Sequence, residues 1–194
     1  MPRDTRIVVP GVPHHVLQRA YQGRRLFHSP EEYQRYQGWL QRAGESAGVQ
    51  VWAYCLMPKH VHLILVPEAR EALGKVLRTV GQNLARQLNQ EGRPGERRRL
   101  ERARSCPLRG HLPEAVRYVE RTPVRAGRVK RAEEYPWSSA AGHCGLREDP
   151  LLHPARPLRG QIADWGLWLW SGEDQALAEE LRRCTEKGKE FGVW

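Results

Sequence analysis

Two strand-forming runs separated by a short break constrain the fold more than any other feature of the chain. Val49–Met57 (VQVWAYCLM) is rich in β-branched and aromatic residues, and His60–Val66 (HVHLILV) follows after Met57-Pro58-Lys59. Such residues suit a pleated, half-buried surface. The proline interrupts ladder pairing, so the break reads as the turn of an antiparallel hairpin. Val12–Arg19 (VPHHVLQR) reads as an earlier strand behind a Pro/Gly-rich entry. Between it and the hairpin, Ser29-Pro30-Glu31-Glu32 marks a helix start, with Ser29 as N-cap, proline at the first helical position and acids in the first turn. Tyr33, Tyr36, Leu40 and Ala43 fall on one helical face, and the helix is expected to run to Ala47, with Gly48 closing it. A second amphipathic helix is expected over Glu71–Asn89, carrying Leu73, Val76, Leu77, Val80, Leu84 and Leu88. The order strand, helix, strand, strand, helix predicts an α+β fold, an antiparallel sheet with helices packed on one face. The other face is then available for chemistry.

Beyond the second helix the pattern is looser. Glu91–Arg104 (EGRPGERRRLERAR) is an Arg-rich connector. Pro113–Arg121 has the length of a short helix, stopped by Thr122-Pro123 because the residue before proline disfavours the helical region. From Arg147 the composition shifts to a Pro-rich stretch, three tryptophans (Trp165, Trp168, Trp170) and an expected helix over Glu173–Lys187. These signals divide the chain into a main domain, residues 1–146, and a small helical C-terminal accessory region, residues 147–194, with the tryptophans expected to pack on the main domain.

Charge narrows the function. The 194 residues carry a formal +10. Between Arg70 and Arg131 there are 17 Lys and Arg against 6 Asp and Glu, so the whole surplus sits in one third of the chain. A basic run is often only a solvated face, but concentration of this kind favours a polyanion surface, nucleic acid ahead of an acidic membrane. The apolar runs are strand-sized, and none is long enough to span a bilayer. The N-terminus lacks an apolar signal segment, and the four cysteines form no CxxC pair, which argues against a zinc ribbon and for a reduced, cytoplasmic setting.

Two side-chain groups carry chemistry. His60 and His62 lie two apart on a strand, so both imidazoles share a face while Val61, Leu63 and Leu65 take the other. A pair at this spacing suits one divalent ion, although a bare His-x-His also arises by coincidence on a polar strand face. Tyr118 lies on the edge of the apolar stripe Leu112, Ala115, Val116 and Val119. It reads either as a half-buried core tyrosine or as a nucleophile, with Arg117, Arg121 and Arg125 placed to favour the phenolate.

Met57-Pro58-Lys59-His60-Val61-His62-Leu63-Ile64-Leu65 resembles the His-hydrophobic-His (HUH) signature of the single-tyrosine transposases of insertion sequences. The block from Tyr118 to Gly127 (YVERTPVRAG) and Tyr135-Pro136-Trp137-Ser138-Ser139 are similar to the REP-associated branch of that family, as is His15-Val16 with Arg19 and then Leu26-Phe27. The resemblance spans about Pro10 to Gly142. It implies the ferredoxin-like HUH transposase fold and an enzyme that cleaves and rejoins single-stranded or hairpin DNA through a 5′-phosphotyrosine. By position, Tyr118 would attack, and His60 and His62 would bind Mg²⁺ or Mn²⁺. Arg19, Arg24, Arg25 and Lys59, with Arg117, Arg121 and Arg125, would contact DNA, and the protein would act as a monomer or homodimer. Where the family places its third metal ligand, an asparagine, this chain has Thr122, a weaker ligand for a hard cation. The first-strand motif begins His14-His15 rather than Tyr-His, and Arg98–Ala103 lacks the family's aromatic residues. A catalytically retired DNA-binding protein on the same scaffold therefore stands beside the enzyme. An RNA-binding sheet ranks behind both, since the third strand offers His60, His62, Ile64 and Val66 rather than aromatics for stacking bases.

Overall fold

The computed structural model describes residues 6–90, 100–154, 158 and 160–192. Four strands, β1 (His14–Arg19), β2 (Val49–Leu56), β3 (His60–Pro67) and β4 (Arg104–Pro107), form one antiparallel sheet in the order β2-β3-β1-β4. The hairpin expected from Met57-Pro58-Lys59 is present, with Leu56 opposite Val61 and Cys55 opposite His62. β3 and β1 occupy the centre. β4 was not anticipated, because four residues (RSCP) after an Arg-rich stretch carry no alternation; the open edge of β1 supplies the pairing that makes them a strand. Residues 91–99 of the connector lie outside the described residues, while Leu100 bridges to Ala20 just ahead of β4.

Helices α1 (Pro30–Ala47) and α2 (Ala72–Gln90) cover one face. Tyr36, Leu40, Leu73, Val76, Val80 and Leu84 pack there against Val16, Tyr54, Val61, Leu63 and Leu65, all essentially without solvent contact. Gly48 ends α1 in the left-handed region at φ 66°, a conformation that costs glycine nothing.

The arrangement of helices on one face holds for this pair, but the opposite face is not bare. α3 (Leu112–Glu120) and α4 (Thr122–Arg125) cover it together with α5 (Ala140–His143), α6 (Trp165–Trp170) and α7 (Gln175–Lys187). The reason lies in the strand pattern: Ala53, Cys55, Ile64 and Cys106 share that face with the histidines and need apolar cover. They receive it from Ala115, Val116, Val119, Leu169, Leu181 and Phe191. The C-terminal region thus contributes to the core. Trp165 is buried and Trp168 half-buried, while Trp170 is largely exposed. No helix among the described residues is long and apolar enough to cross a membrane.

Candidate active site

Pairing register brings the reactive groups together. Residues directly opposite in an antiparallel pair share a face. Leu17 lies opposite His62, Arg19 opposite His60, and His15 opposite both Ile64 and Cys106, so His15, Arg19, His60 and His62 project from one surface of β1 and β3. His60 and His62 have ring centroids 5.0 Å apart in an edge-to-face arrangement. His62 is buried and His60 half-buried at the open end of the strand. Burial, reinforced for His62 by His15 and His60 and for both by Arg19 and Arg125, lowers their basicity: His60 falls to about 4 and His62 well below the ordinary imidazole value. Both are therefore neutral at pH 7, the form in which an imidazole can ligate a metal.

Behind His62 lies His15, fully buried and lowered to about 3 by desolvation and then by Arg125. The rings of His15 and His62 are nearly parallel with centroids 5.2 Å apart, and His15 Nε2 lies 2.9 Å from His62 Nδ1, so the two imidazoles meet edge to edge in one plane, as a hydrogen bond between ring nitrogens requires. The other His15 nitrogen, Nδ1, meets Thr185 Oγ1 of α7 at 2.7 Å. Sequence reasoning gave neither residue a place in the site. The alternation His15, Leu17, Arg19 was the available signal, but it points at His62 only once the β1–β3 register is known, and Thr185 is 170 positions away from its partner.

Tyr118 meets the histidines from above. Its ring stands edge-on to His62 at 5.6 Å and to His15 at 5.8 Å, half-buried with access to solvent. Desolvation raises its pKa; the guanidinium of Arg125 opposes this, lying 4.1 Å over the ring, with Arg182 and Arg19 acting in the same direction and Glu173 against them. Thr122 is close, but its hydroxyl is already committed. It donates to the Tyr118 carbonyl at 3.1 Å and accepts from Arg125 Nη2 at 2.9 Å. A guanidinium on that oxygen disfavours a second cation, so the hydroxyl is poorly placed as a metal ligand. Among the described residues no group of three or more His, Cys, Asp or Glu side chains is arranged to hold a metal ion. The site offers two neutral imidazoles.

The cations expected at DNA separate into two sets. Arg24, Arg25 and Lys59 are exposed beside the end of β1 and the β2–β3 turn, where Lys59 O accepts from Ala20 N, and Arg19 pairs with Glu186 at 3.1 Å on the half-exposed flank of His60. Arg117, Arg121 and Arg125 turn toward the C-terminal region instead. Arg117 stacks on Trp168 at 4.2 Å and donates to Gly172 O, Arg121 donates to Leu169 O, and Arg125 binds Glu173 at 2.7 Å. They brace α3 and α4 against α6 and the residues that follow it. On the opposite side of the sheet, Arg6, Arg78 and Arg102 line a groove of about 720 Å³ with Gln18, Gln82 and Asn89; Arg78 and Arg102 belong to the basic stretch Arg70–Arg131, while Arg6 joins them from the N-terminal side.

α3 is fixed from beneath by Glu120, which is fully buried. Its carboxylate accepts from Ser139 Oγ at 2.5 Å, from Trp165 Nε1 at 2.7 Å, and pairs with His143 Nδ1 at 2.5 Å. The Ser138-Ser139 segment thus anchors the helix that presents Tyr118.

Residues 10–103, which include β1, both helices of the first face and the histidine pair, match the family model described as "Transposase IS200 like". Over these residues the chain is similar to the IS200-like transposases. Tyr118 and the C-terminal helices lie outside the matched segment. Among solved structures, a REP-associated tyrosine transposase bound to a REP hairpin superposes with a TM-score of 0.62 at 17% identity, covering 80% of this chain and 90% of that one. The likeness is one of fold. A protein of Deinococcus radiodurans R1 assigned as a transposase gives a TM-score of 0.42 at 16% identity over 64% of this chain and 91% of its own. No curated protein matches the sequence.

Proposed function

We propose that this IS200-like protein is a tyrosine endonuclease and strand transferase of the REP-associated type, acting on single-stranded or hairpin DNA with Mg²⁺ or Mn²⁺. The observation that carries the reading is the meeting of Tyr118 with His62, rings 5.6 Å apart, with His62 buried and Tyr118 and His60 half-buried at the solvent side. The donor set fits a hard-to-borderline divalent ion: two neutral imidazoles, His60 and His62, with water and substrate phosphate left to complete the shell. Such an ion, when bound, neutralises charge on the non-bridging phosphate oxygens.

The chain's own groups supply the rest. Tyr118 Oη loses its proton and attacks phosphorus; the bond from phosphorus to the 3′ oxygen breaks, and that oxygen takes up a proton. The products are a 5′-phosphotyrosine and a free 3′-OH, and the reverse attack by a 3′-OH rejoins the strand. Arg125 over the ring favours the phenolate, while α3, braced by Glu120, holds the ring at the histidines. The exposed Arg24, Arg25 and Lys59 lie at the same end of the sheet as His60 and suit backbone phosphates. The fold neighbour's REP hairpin makes a hairpin the first substrate to test.

A second reading, a DNA-binding protein that no longer cleaves, draws support from Thr122, whose hydroxyl is held by Arg125. Incubation with hairpin oligonucleotides and Mn²⁺ separates the two. The enzyme leaves a covalent protein–DNA adduct that Tyr118→Phe abolishes. Hairpin binding with no adduct on any substrate leaves the second reading standing, and a preference for single-stranded RNA overturns both.

A further inference from the structure

We propose that a hydrogen-bond chain running from α7 through Thr185 and His15 sets which ring nitrogen His62 presents to a divalent cation, making His15 and Thr185 positioning residues for that site. The inference rests on the metal-site reading above, but the chain itself is a property of the metal-free protein.

The direction of each bond follows from what each atom can do. Thr185 Oγ1 lies 2.7 Å from the Leu181 carbonyl oxygen, which only accepts, so the single hydroxyl proton points there. The same oxygen then has lone pairs left for its other neighbours, His15 Nδ1 at 2.7 Å and the nearby Cys106 thiol. His15 Nδ1 must therefore carry a proton. His15 is sealed between strands and α7 with no carboxylate among its hydrogen-bond partners, so it holds one proton only, and its Nε2 is an acceptor. The 2.9 Å contact between that nitrogen and His62 Nδ1 needs one proton, which His62 supplies. His62 is left protonated at Nδ1, with the lone pair of Nε2 open. Each link forces the next, so a carbonyl in α7 dictates the state of a ring on β3.

Among the described residues His62 has no other hydrogen-bond partner that selects this tautomer. An imidazole free to exchange its proton between nitrogens would present an N–H to the cation part of the time, and its ring would lose one of the contacts that fix its rotation. Second-layer partners of this type change metal affinity by about 10- to 100-fold when removed.

Two measurements on the full chain test the idea separately from catalysis. Long-range ¹H–¹⁵N correlation spectra of the metal-free protein at pH 7 report the tautomer: His15 and His62 are both expected as Nδ1-protonated rings. Thr185→Val, which removes the hydroxyl at nearly constant volume, is expected to give a mixed tautomer at both, and Thr185→Ser to restore it. Mn²⁺ titration followed by electron paramagnetic resonance should show at least a ten-fold weaker site in Thr185→Val and recovery in Thr185→Ser. A parent protein with His62 protonated at Nε2, or a Thr185→Val protein with unchanged tautomer and Mn²⁺ affinity, overturns the proposal; the parental spectrum decides even where a variant fails to fold. Expected tautomers with no Mn²⁺ bound by the parent support the chain and refute the metal site instead.

Discussion

Replacing Glu120 by alanine tests whether the helix carrying Tyr118 is held from below. The carboxylate accepts three buried hydrogen bonds, from Ser139, His143 and Trp165. Ser139 has a fallback, because its hydroxyl also lies 3.2 Å from the Tyr54 carbonyl. The Trp165 indole N–H has no acceptor function with which to adapt, and His143 keeps a buried ring nitrogen facing the cavity. Each stranded polar group costs about 1–3 kcal/mol. Two of them give about 2–6 kcal/mol, in line with the roughly 3–5 kcal/mol seen when one partner of a buried pair is removed. Against a total stability of about 5–15 kcal/mol, the loss is easily read by urea unfolding. Glu120→Gln behaves differently: its oxygen can keep Trp165, while its amide donates to Ser139 Oγ and to His143 Nδ1. Its expected cost is about 1–2 kcal/mol. In the Glu120→Ala background, Trp165→Phe should add little, since the bond is already gone. An alanine variant within 1 kcal/mol of the parent refutes the account of how α3 is anchored.

Two further expectations follow from the electrostatics. Arg125 lowers the Tyr118 pKa and Glu173 raises it, so pH profiles of adduct formation should move in opposite directions: to higher pH in Arg125→Gln and to lower pH in Glu173→Gln. Parallel shifts refute the assignment. Folding stability should also depend on pH. His15, His60 and His62 titrate at about 3, about 4 and well below normal when folded, but near 6.5 when unfolded, so below 6.5 the unfolded chain binds more protons. Their contribution is complete above about pH 6.5 and is lost as pH falls toward 4, by up to about 1.4 kcal/mol per pH unit for each ring. Urea midpoints at pH 7.5, 6 and 5 measure it, and a flat series contradicts burial of neutral histidines.

The first half of the fold was legible because its signals are local. Alternation, helical spacing and the Pro58 break are readable within a dozen residues, and β1, α1, β2, β3 and α2 lie within a few residues of where those signals put them. The shared face of His60 and His62 was legible for the same reason. β4 was not, since Arg104–Pro107 becomes a strand only by pairing with β1. Nor was the cover over the second face, where Ile64 and Cys106 meet Leu181 and Phe191 across most of the chain. The arginines beside Tyr118 show the limit most clearly: a run of positive charge looks the same in sequence whether it faces solvent or the indole and carbonyls of α6.

Under the proposed function, that distinction alters how a DNA complex should respond to ionic strength. Each phosphate neutralised by a free Lys or Arg releases condensed counterions and steepens the fall of affinity with added salt. Arg117, Arg121 and Arg125 already hold internal acceptors, and Arg19 holds Glu186. Counting cations along the chain therefore overstates the number available for this exchange, and complexes should survive in more concentrated electrolyte than the formal +10 suggests.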